Sequence, residues 1–267
     1  MNVKLSLIIS TYNWPEALEL VLRSVMSQKE LPFEVIIADD GSREPTKNLI
    51  ESYKQKIPCP LIHIWQEDNG FQLAQIRNKA AAASKGNYLV FIDGDCLIRP
   101  SFVKNHLKLA SPGRFTAGNR ALLGQDFSNQ VITEALPIET WKPSEFNTDQ
   151  INRSWALHTL PIGPLRSLKS KCWRQLKGCN FAIWKEDLVA INGLDESFIG
   201  WGYEDSELTI RLLRHGLRST SGRLATTVLH LWHKEQDRSQ EQENWAKLQE
   251  VLNGDKKLAE KGIDQYL

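Results

Sequence analysis

Two aspartates stand one residue apart where a run of apolar residues ends: Tyr88-Leu89-Val90-Phe91-Ile92 leads into Asp93-Gly94-Asp95-Cys96. The run predicts a short strand buried on both faces. In an open α/β sheet, ligands collect beyond the carboxyl ends of the strands. Carboxylates are hard oxygen ligands for Mg2+ or Mn2+, and such an ion commonly bridges protein carboxylates to substrate phosphates. Gly94 lets the backbone turn and phosphates approach closely. A polar turn is the alternative reading, since Asp-Gly is a common turn pair. Acids recur at comparable places, in Asp39-Asp40-Gly41-Ser42 and in Glu67-Asp68-Asn69-Gly70. A later segment, Gly200-Trp201-Gly202-Tyr203-Glu204-Asp205, puts two carboxylates in the first turn of a predicted helix over 206–215, where the helix dipole favours negative charge. His230 lies in a predicted strand over 224–231, with His233 just past it.

The elements that must hold these groups alternate. Strands are predicted over 5–9, 33–38 and 61–65, and helices over 15–28, 45–56 and 72–85. Asn13 is the expected N-cap of the first helix, with Glu16 completing a capping box and Pro15 in its first turn. Gly86 is the expected stop of the third helix. Short strands alternating with longer helices imply βαβ units and a parallel sheet. Each strand then delivers a polar loop, acid-bearing in all but the first, to one edge, the layout of a nucleotide site. Neither GxGxxG nor GxxxxGK[ST] is present. After Pro100 the pattern loosens to a helix over 101–110, strands over 115–118 and 178–183, a short helix over 185–191 and a charged C-terminal helix built on Trp245, Leu248 and Leu252.

Composition bounds the class. A chain of 267 residues with 41% hydrophobic content can bury a sizeable core, and a net charge of +1 argues against a nucleic-acid binder. Cys59, Cys96, Cys172 and Cys179 show no CxxC spacing, which predicts reduced thiols in a cytoplasmic protein rather than a zinc or disulfide framework. The N-terminus reads as neither a signal peptide nor a membrane span. Residues 151–178 hold six basic side chains (Arg153, Arg166, Lys169, Lys171, Arg174, Lys177) and no acidic one, interleaved with Trp155, Leu160, Leu165, Leu168 and Trp173. That segment is expected either to touch an anionic membrane or acceptor, or to be a solvated loop.

Taken together, Ile8-Ile9-Ser10-Thr11-Tyr12-Asn13, Val35 to Ser42, Gln72 to Ala80 and Asp93-Gly94-Asp95 resemble, in order and approximate spacing, the family-2 glycosyltransferases of GT-A fold. Gly200 to Asp205 is similar to the acceptor-side motif of chondroitin polymerase and the β-1,4-galactosyltransferases, although Ile199 stands where a Trp is common there. The resemblance runs over about residues 3 to 235. It implies one GT-A domain: a nucleotide-sugar-binding, Rossmann-like half over 1–100, an acceptor-binding and catalytic half over 101–235, and a C-terminal helix over 236–267.

What the resemblance implies for the site follows residue by residue. Asp40 matches the carboxylate that bonds a uracil ring, Thr11 and Tyr12 match the base-contacting loop, and Arg77 matches an arginine near the nucleotide. Asp39 is left a turn role. Asp95 matches the direct ligand of Mn2+ or Mg2+, with Asp93 on ribose or a metal-bound water. His233 or His230 supplies a further metal ligand, His233 being the first choice. Asp205 matches the general base, Glu204 a contact to sugar hydroxyls, Trp201 a sugar-ring platform and Asn180 a donor-sugar contact. The implied reaction is inverting transfer of a hexose or N-acetylhexosamine from a UDP-sugar to a glycan or lipid-linked glycan acceptor. The setting is bacterial lipopolysaccharide or polysaccharide synthesis, at or near the inner face of the membrane. A nucleotidyltransferase would want a Gly-rich basic loop where Ser10-Thr11-Tyr12-Asn13 stands, and a non-catalytic sugar-binding module would not need Asp93, Asp95, Glu204 and Asp205 together.

Overall fold

The computed structural model describes residues 2–160, 163–168, 171–234 and 237–267. The first part of the chain alternates as the periodicity predicts: β1 (Leu5–Thr11), α1 (Pro15–Met26), β2 (Glu34–Asp39), α2 (Glu44–Tyr53), β3 (Leu61–Trp65), α3 (Leu73–Ala83) and β4 (Tyr88–Asp93). There follow β5 (Cys96–Ile98), α4 (Phe102–Leu109), β6 (Arg114–Ala117), β7 (Asn119–Leu122) and α5 (Gln125–Glu134). A stretch of short 3-10 turns leads to β8 (Asn180–Trp184), α6 (Lys185–Ala190), α7 (Glu204–Arg214), β9 (Arg218–Ser221), β10 (Thr227–His230) and α8 (Glu241–Asn253).

A seven-stranded sheet in the order β3-β2-β1-β4-β8-β6-β9 forms the frame. β1 runs parallel to both β2 and β4, and β8 joins β4 antiparallel, so the sheet continues across the expected half-boundary at residue 100. Side chains alternate between faces with period 2. Leu7, Ile9, Val35, Ile37, Val90 and Ile92 pack with α1 and α2 on one face. Ile8, Ile36, Leu89 and Phe91 pack with α3 and α7 on the other. Both faces of the central strands are therefore dry, which is why these strands are nearly continuous apolar runs. The register Thr11↔Asp39 and Ser10↔Asp93 brings the ends of β1, β2 and β4 to one edge.

A second sheet of three strands, β5-β10-β7, stands beside that edge. β10 lies between antiparallel β5 and parallel β7, with His230 opposite Cys96 and Leu122.

Two local expectations are corrected. Asn13 does not cap α1: it has a left-handed φ of 46°, Trp14 is the N-cap, and the Asn13 Oδ1 accepts the Arg43 N–H at 2.9 Å. Its side chain thus ties the loop after β1 to the loop after β2. Gly86 does not stop α3, which ends at an extended Ser84. A Cβ on Gly86 would fall 2.2 Å from Ser6 Oγ, so the glycine is there for close approach to β1. Among the described residues no helix is long and apolar enough to cross a membrane.

Candidate active site

A cavity of about 800 Å3 opens where the two sheets meet, at the carboxyl ends of β1, β2 and β4. Thr11, Tyr12, Asp40, Arg77, Asp93, Asp95, Trp201, Glu204, Asp205, His230 and His233 all line it. Asn180 does not. Its side chain is wholly buried, and Nδ2 donates to the carbonyls of Asn119 and Thr226, bracing β8 against the loops around the small sheet. Asn180, expected to contact the donor sugar, is thus placed behind the cavity wall with its amide nitrogen on two backbone carbonyls.

At one end of the cavity Asp40 accepts from Gln66 Nε2 at 2.5 Å and from the Gln72 N–H at 2.8 Å. Burial pushes its carboxyl up to about 6. Tyr12 is half exposed and donates its hydroxyl to Asp68 at 2.8 Å. Asp39 takes the turn role expected of it, accepting the Ser42 N–H at 2.8 Å while His63 braces its other oxygen at 2.9 Å.

Arg77 engages the protein through Nε and Nη2. Nε donates to Ser10 Oγ at 3.0 Å, and Nη2 donates to Asp93 Oδ1 at 2.7 Å and to the Gly178 carbonyl at 2.9 Å. It holds Asp93 and the chain at Gly178 while lining the cavity. Gly178 in turn donates its N–H to Asp205 Oδ2 at 3.1 Å. A continuous chain of contacts, Asp93–Arg77–Gly178–Asp205, thus ties the end of β4 to the start of α7.

Asp95 faces both histidines, its Oδ1 lying 3.7 Å from His230 Nε2 and its Oδ2 3.4 Å from His233 Nε2. Both histidines, rather than one, stand at Asp95: one donor atom from each of Asp95, His230 and His233 falls in a group within 4.8 Å. The Nδ1 atoms of His230 and His233 each lie 2.8 Å from a backbone carbonyl, of Leu231 and Lys234 respectively. Donation to those carbonyls turns the Nε2 lone pairs toward Asp95, the arrangement a metal-binding histidine needs. A carboxylate with two such imidazoles fits a divalent cation. Trp14 meets His233 edge-on at 6.2 Å and steadies its ring.

Helix α7 begins two residues earlier than the periodicity suggests. Gly200, Gly202 and Tyr203 all adopt left-handed φ values, of 75°, 116° and 68°, so the chain wraps tightly into Glu204. The Tyr203 ring packs on Trp245 of α8 at 5.0 Å, which holds this non-glycine residue in a conformation it would otherwise avoid. Trp201 is 36% exposed, with the Arg238 guanidinium 4.5 Å over its ring. Burial, and then the neighbouring Asp205, push the Glu204 carboxyl up to about 7. A carboxyl raised in the folded state destabilises the fold once it ionises: the penalty is absent below its ordinary 4.5 and complete above about 7. Glu204→Gln should therefore stabilise the protein at pH 8 by at most about 3 kcal/mol, less after solvent screening, and leave it unchanged at pH 4. Urea denaturation at the two pH values is the check, and an equal shift at both would remove the premise.

Trp14, Gly178, Arg120 and Arg238 line the cavity without having been singled out in the sequence, and Lys177, noted there only in the basic segment, joins them. Trp14 carried a signal, standing two residues beyond Tyr12 at the end of β1. The others are placed by contacts far apart along the chain.

Residues 6–164 match the family profile described as glycosyl transferase family 2, and residues 168–234 match one described as the N-terminal domain of galactosyltransferase. The chondroitin synthase of Pasteurella multocida (strain Pm70) is 30% identical over 228 residues, covering 80% of this chain and 23% of that protein. The validoxylamine A glucosyltransferase of Streptomyces hygroscopicus subsp. limoneus is 29% identical over 229 residues, covering 82% of this chain and 50% of that protein. The chain thus spans between 23% and 50% of the lengths of these relatives. Among solved structures, S. aureus TarS (residues 1–349) in complex with UDP-GlcNAc superposes with a TM-score of 0.60 at 16% identity, covering 87% of this chain and 59% of that one. A mannosyltransferase from Pyrobaculum calidifontis in complex with GDP-Man and Mn2+ gives a TM-score of 0.57 at 19% identity, covering 88% of this chain and 59% of that one. These likenesses place the mixed α/β frame in the GT-A fold. By the match over residues 6–164, the chain belongs to glycosyl transferase family 2.

Proposed function

We propose that the chain catalyses metal-dependent, inverting transfer of a hexose or N-acetylhexosamine from a UDP-sugar to a glycan, with a lipopolysaccharide or other polysaccharide as the acceptor class. One observation carries this reading: a single cavity holds the Asp95–His230–His233 donors and the Glu204–Asp205 pair, with Asp93 tied to Asp205 through Arg77 and Gly178. Asp95, His230 and His233 would hold the cation, which when bound neutralises the departing diphosphate. Two imidazoles beside one carboxylate favour Mn2+ over Mg2+, a cation that prefers oxygen ligands alone. Asp40, Thr11 and Tyr12 receive the nucleoside, and Asp93, oriented by Arg77, faces the ribose or a metal-bound water. Asp205 takes the proton of the acceptor hydroxyl from the face opposite the leaving nucleotide. Glu204, raised toward neutral pH, bonds sugar hydroxyls, and Trp201 offers an apolar plate to a sugar ring.

The choice of UDP draws support from the UDP-GlcNAc in the TarS complex, whereas the archaeal relative carries GDP-Man. Donor hydrolysis across UDP- and GDP-sugars with Mn2+ is therefore the test. Turnover of a UDP-sugar that EDTA abolishes is expected, and turnover confined to GDP-sugars would overturn the donor assignment. Asp95→Ala should weaken UDP binding in the presence of Mn2+ by about 10- to 100-fold, as EDTA should for the unsubstituted chain. Calorimetry giving equal UDP affinity with EDTA and with Mn2+ would overturn the metal dependence.

A peripheral contact with an anionic membrane, on the cytoplasmic face, is the second part of the proposal. Trp155, Leu160 and Leu168 are 59%, 50% and 79% exposed, and Arg174 stacks over Trp173 at 4.2 Å. Lys169 and the Leu165 side chain lie outside the described residues. Arg166 is engaged by the Ser221 carbonyl at 2.9 Å, and Lys177 faces the cavity. That leaves Arg153, Lys171 and Arg174, each worth about 1 kcal/mol near an anionic surface. Flotation with anionic liposomes is expected at low salt and lost at high salt. No flotation at low salt would make this stretch an acceptor loop instead.

A further inference from the structure

Behind the outer donors lies a second set. Cys96, Cys179 and His230 each offer a donor atom within 4.8 Å of the others, and all three residues are buried. Cys96 and His230 are direct partners across β5 and β10, and Cys179 immediately precedes β8, so backbone pairing holds the cluster in place. With His230 Nδ1 engaged by the Leu231 carbonyl, Nε2 is the nitrogen left for either set. Asp95 Oδ1 completes the inner set, 3.4 Å from Cys96 Sγ and 3.7 Å from His230 Nε2. A tetrahedral ion about 2.3 Å from sulfur and about 2.0–2.1 Å from nitrogen and oxygen needs ligand–ligand edges of roughly 3.4–3.8 Å. Two edges already have that length, and the three among Cys96, Cys179 and His230 must contract by at most about 1.4 Å from the 4.8 Å bound.

We propose that Cys96, Cys179, His230 and Asp95 form a site for a thiophilic cation such as Zn2+ or Cd2+, and that filling it excludes the hard cation from the outer set. Thiolates select soft ions, whereas Mn2+ and Mg2+ prefer the oxygen-bearing outer set. Both sets need His230 Nε2 and the Asp95 carboxylate, so one ion at a time can be held. Each thiol releases its proton to solvent as its sulfur binds, and Arg120, which donates to Cys179 Sγ at 3.7 Å, accommodates the sulfur charge. A thiophilic ion is therefore an inhibitor that works by drawing Asp95 and His230 inward, away from His233. The exclusion rests on the proposed metal role of the outer set; the inner site does not.

Titration of the chelator-stripped chain with Cd2+, followed by thiolate-to-cadmium charge-transfer absorption, tests the inner site. One ion per chain is expected. Cys179→Ser should abolish the band, while Cys59→Ser and Cys172→Ser should keep it. X-ray absorption of the zinc-loaded, unsubstituted chain should place two sulfurs at about 2.3 Å with nitrogen or oxygen completing the shell. A band that survives Cys179→Ser, or a zinc shell without sulfur, overturns the inner site. Bound Mn2+, followed by electron paramagnetic resonance, should be released by one equivalent of Cd2+, and in Cys179→Ser only by at least about tenfold more. Mn2+ retained alongside the full cadmium band overturns the exclusion. No Mn2+ binding at all, with the band intact, overturns the outer-set reading and supports the inner site by itself.

Discussion

Asp205→Asn is expected to lower kcat for sugar transfer by about 10²–10⁴-fold, the usual contribution of a positioned base, while Mn2+ and UDP binding persist. The carboxylate sits in the first turn of α7 and accepts the Gly178 N–H through Oδ2 and the Ser206 hydroxyl through Oδ1, at 3.1 and 3.2 Å. An asparagine oxygen can accept the Gly178 bond, so the substitution keeps the shape and removes the proton acceptor. Asp95→Ala, by contrast, should lose nucleotide binding and turnover together, because it removes a group that faces both histidines. The two phenotypes separate the acceptor-side carboxylate from the metal-side one. If Asp205→Asn transfers sugar at near the parental rate, the base is elsewhere. Glu204, raised to about 7 beside it, is then the next candidate.

The largest effect on stability is expected at Arg211. Arg211 and Glu207 are wholly buried on α7 and form a two-pronged ion pair at 2.5 and 2.7 Å. The remaining Arg211 nitrogen donates to the carbonyls of Ile191 and Gly193, at 2.8 and 2.9 Å. The helix that carries Glu204 and Asp205 is thereby pinned to the turn after α6. Arg211→Met leaves Glu207 charged and unpartnered in a dry core, which costs about 3–5 kcal/mol. Adding Glu207→Leu removes the stranded charge and should recover most of the loss, since apolar pairs of similar volume replace buried ion pairs at little cost. Urea midpoints at unchanged slope measure both steps. A single-substitution loss under about 1 kcal/mol would mean that water reaches the pair.

Much of the frame is legible in the chain because its causes are local. Leu7 to Ile9, Val35 to Ile37 and Leu89 to Ile92 are apolar runs of strand length, and each leads into a polar turn, acid-bearing after the second and third. A parallel sheet then brings Thr11, Asp40, Asp93 and Asp95 to one edge whatever the rest of the chain does. Gly200 and Gly202 likewise mark, by residue type alone, a tight wrap before the carboxylates of α7.

Other features depend on contacts that no window of sequence contains. β5 and β7 have three or four residues each, too few for a period to register, yet their pairing with β10 brings both His230 and His233 to Asp95, and folding sets Cys96 beside Cys179. Asn180 falls inside the strand predicted over 178–183, but which carbonyls its side chain holds, those of Asn119 and Thr226, is set only by the fold. Gly178 reads as a spacer until folding inserts it between Arg77 and Asp205. Periodicity records which face of an element is dry; which polar groups meet across two elements is decided by sheet register and by the satisfaction of buried hydrogen bonds, and both exist only once the chain has closed on itself.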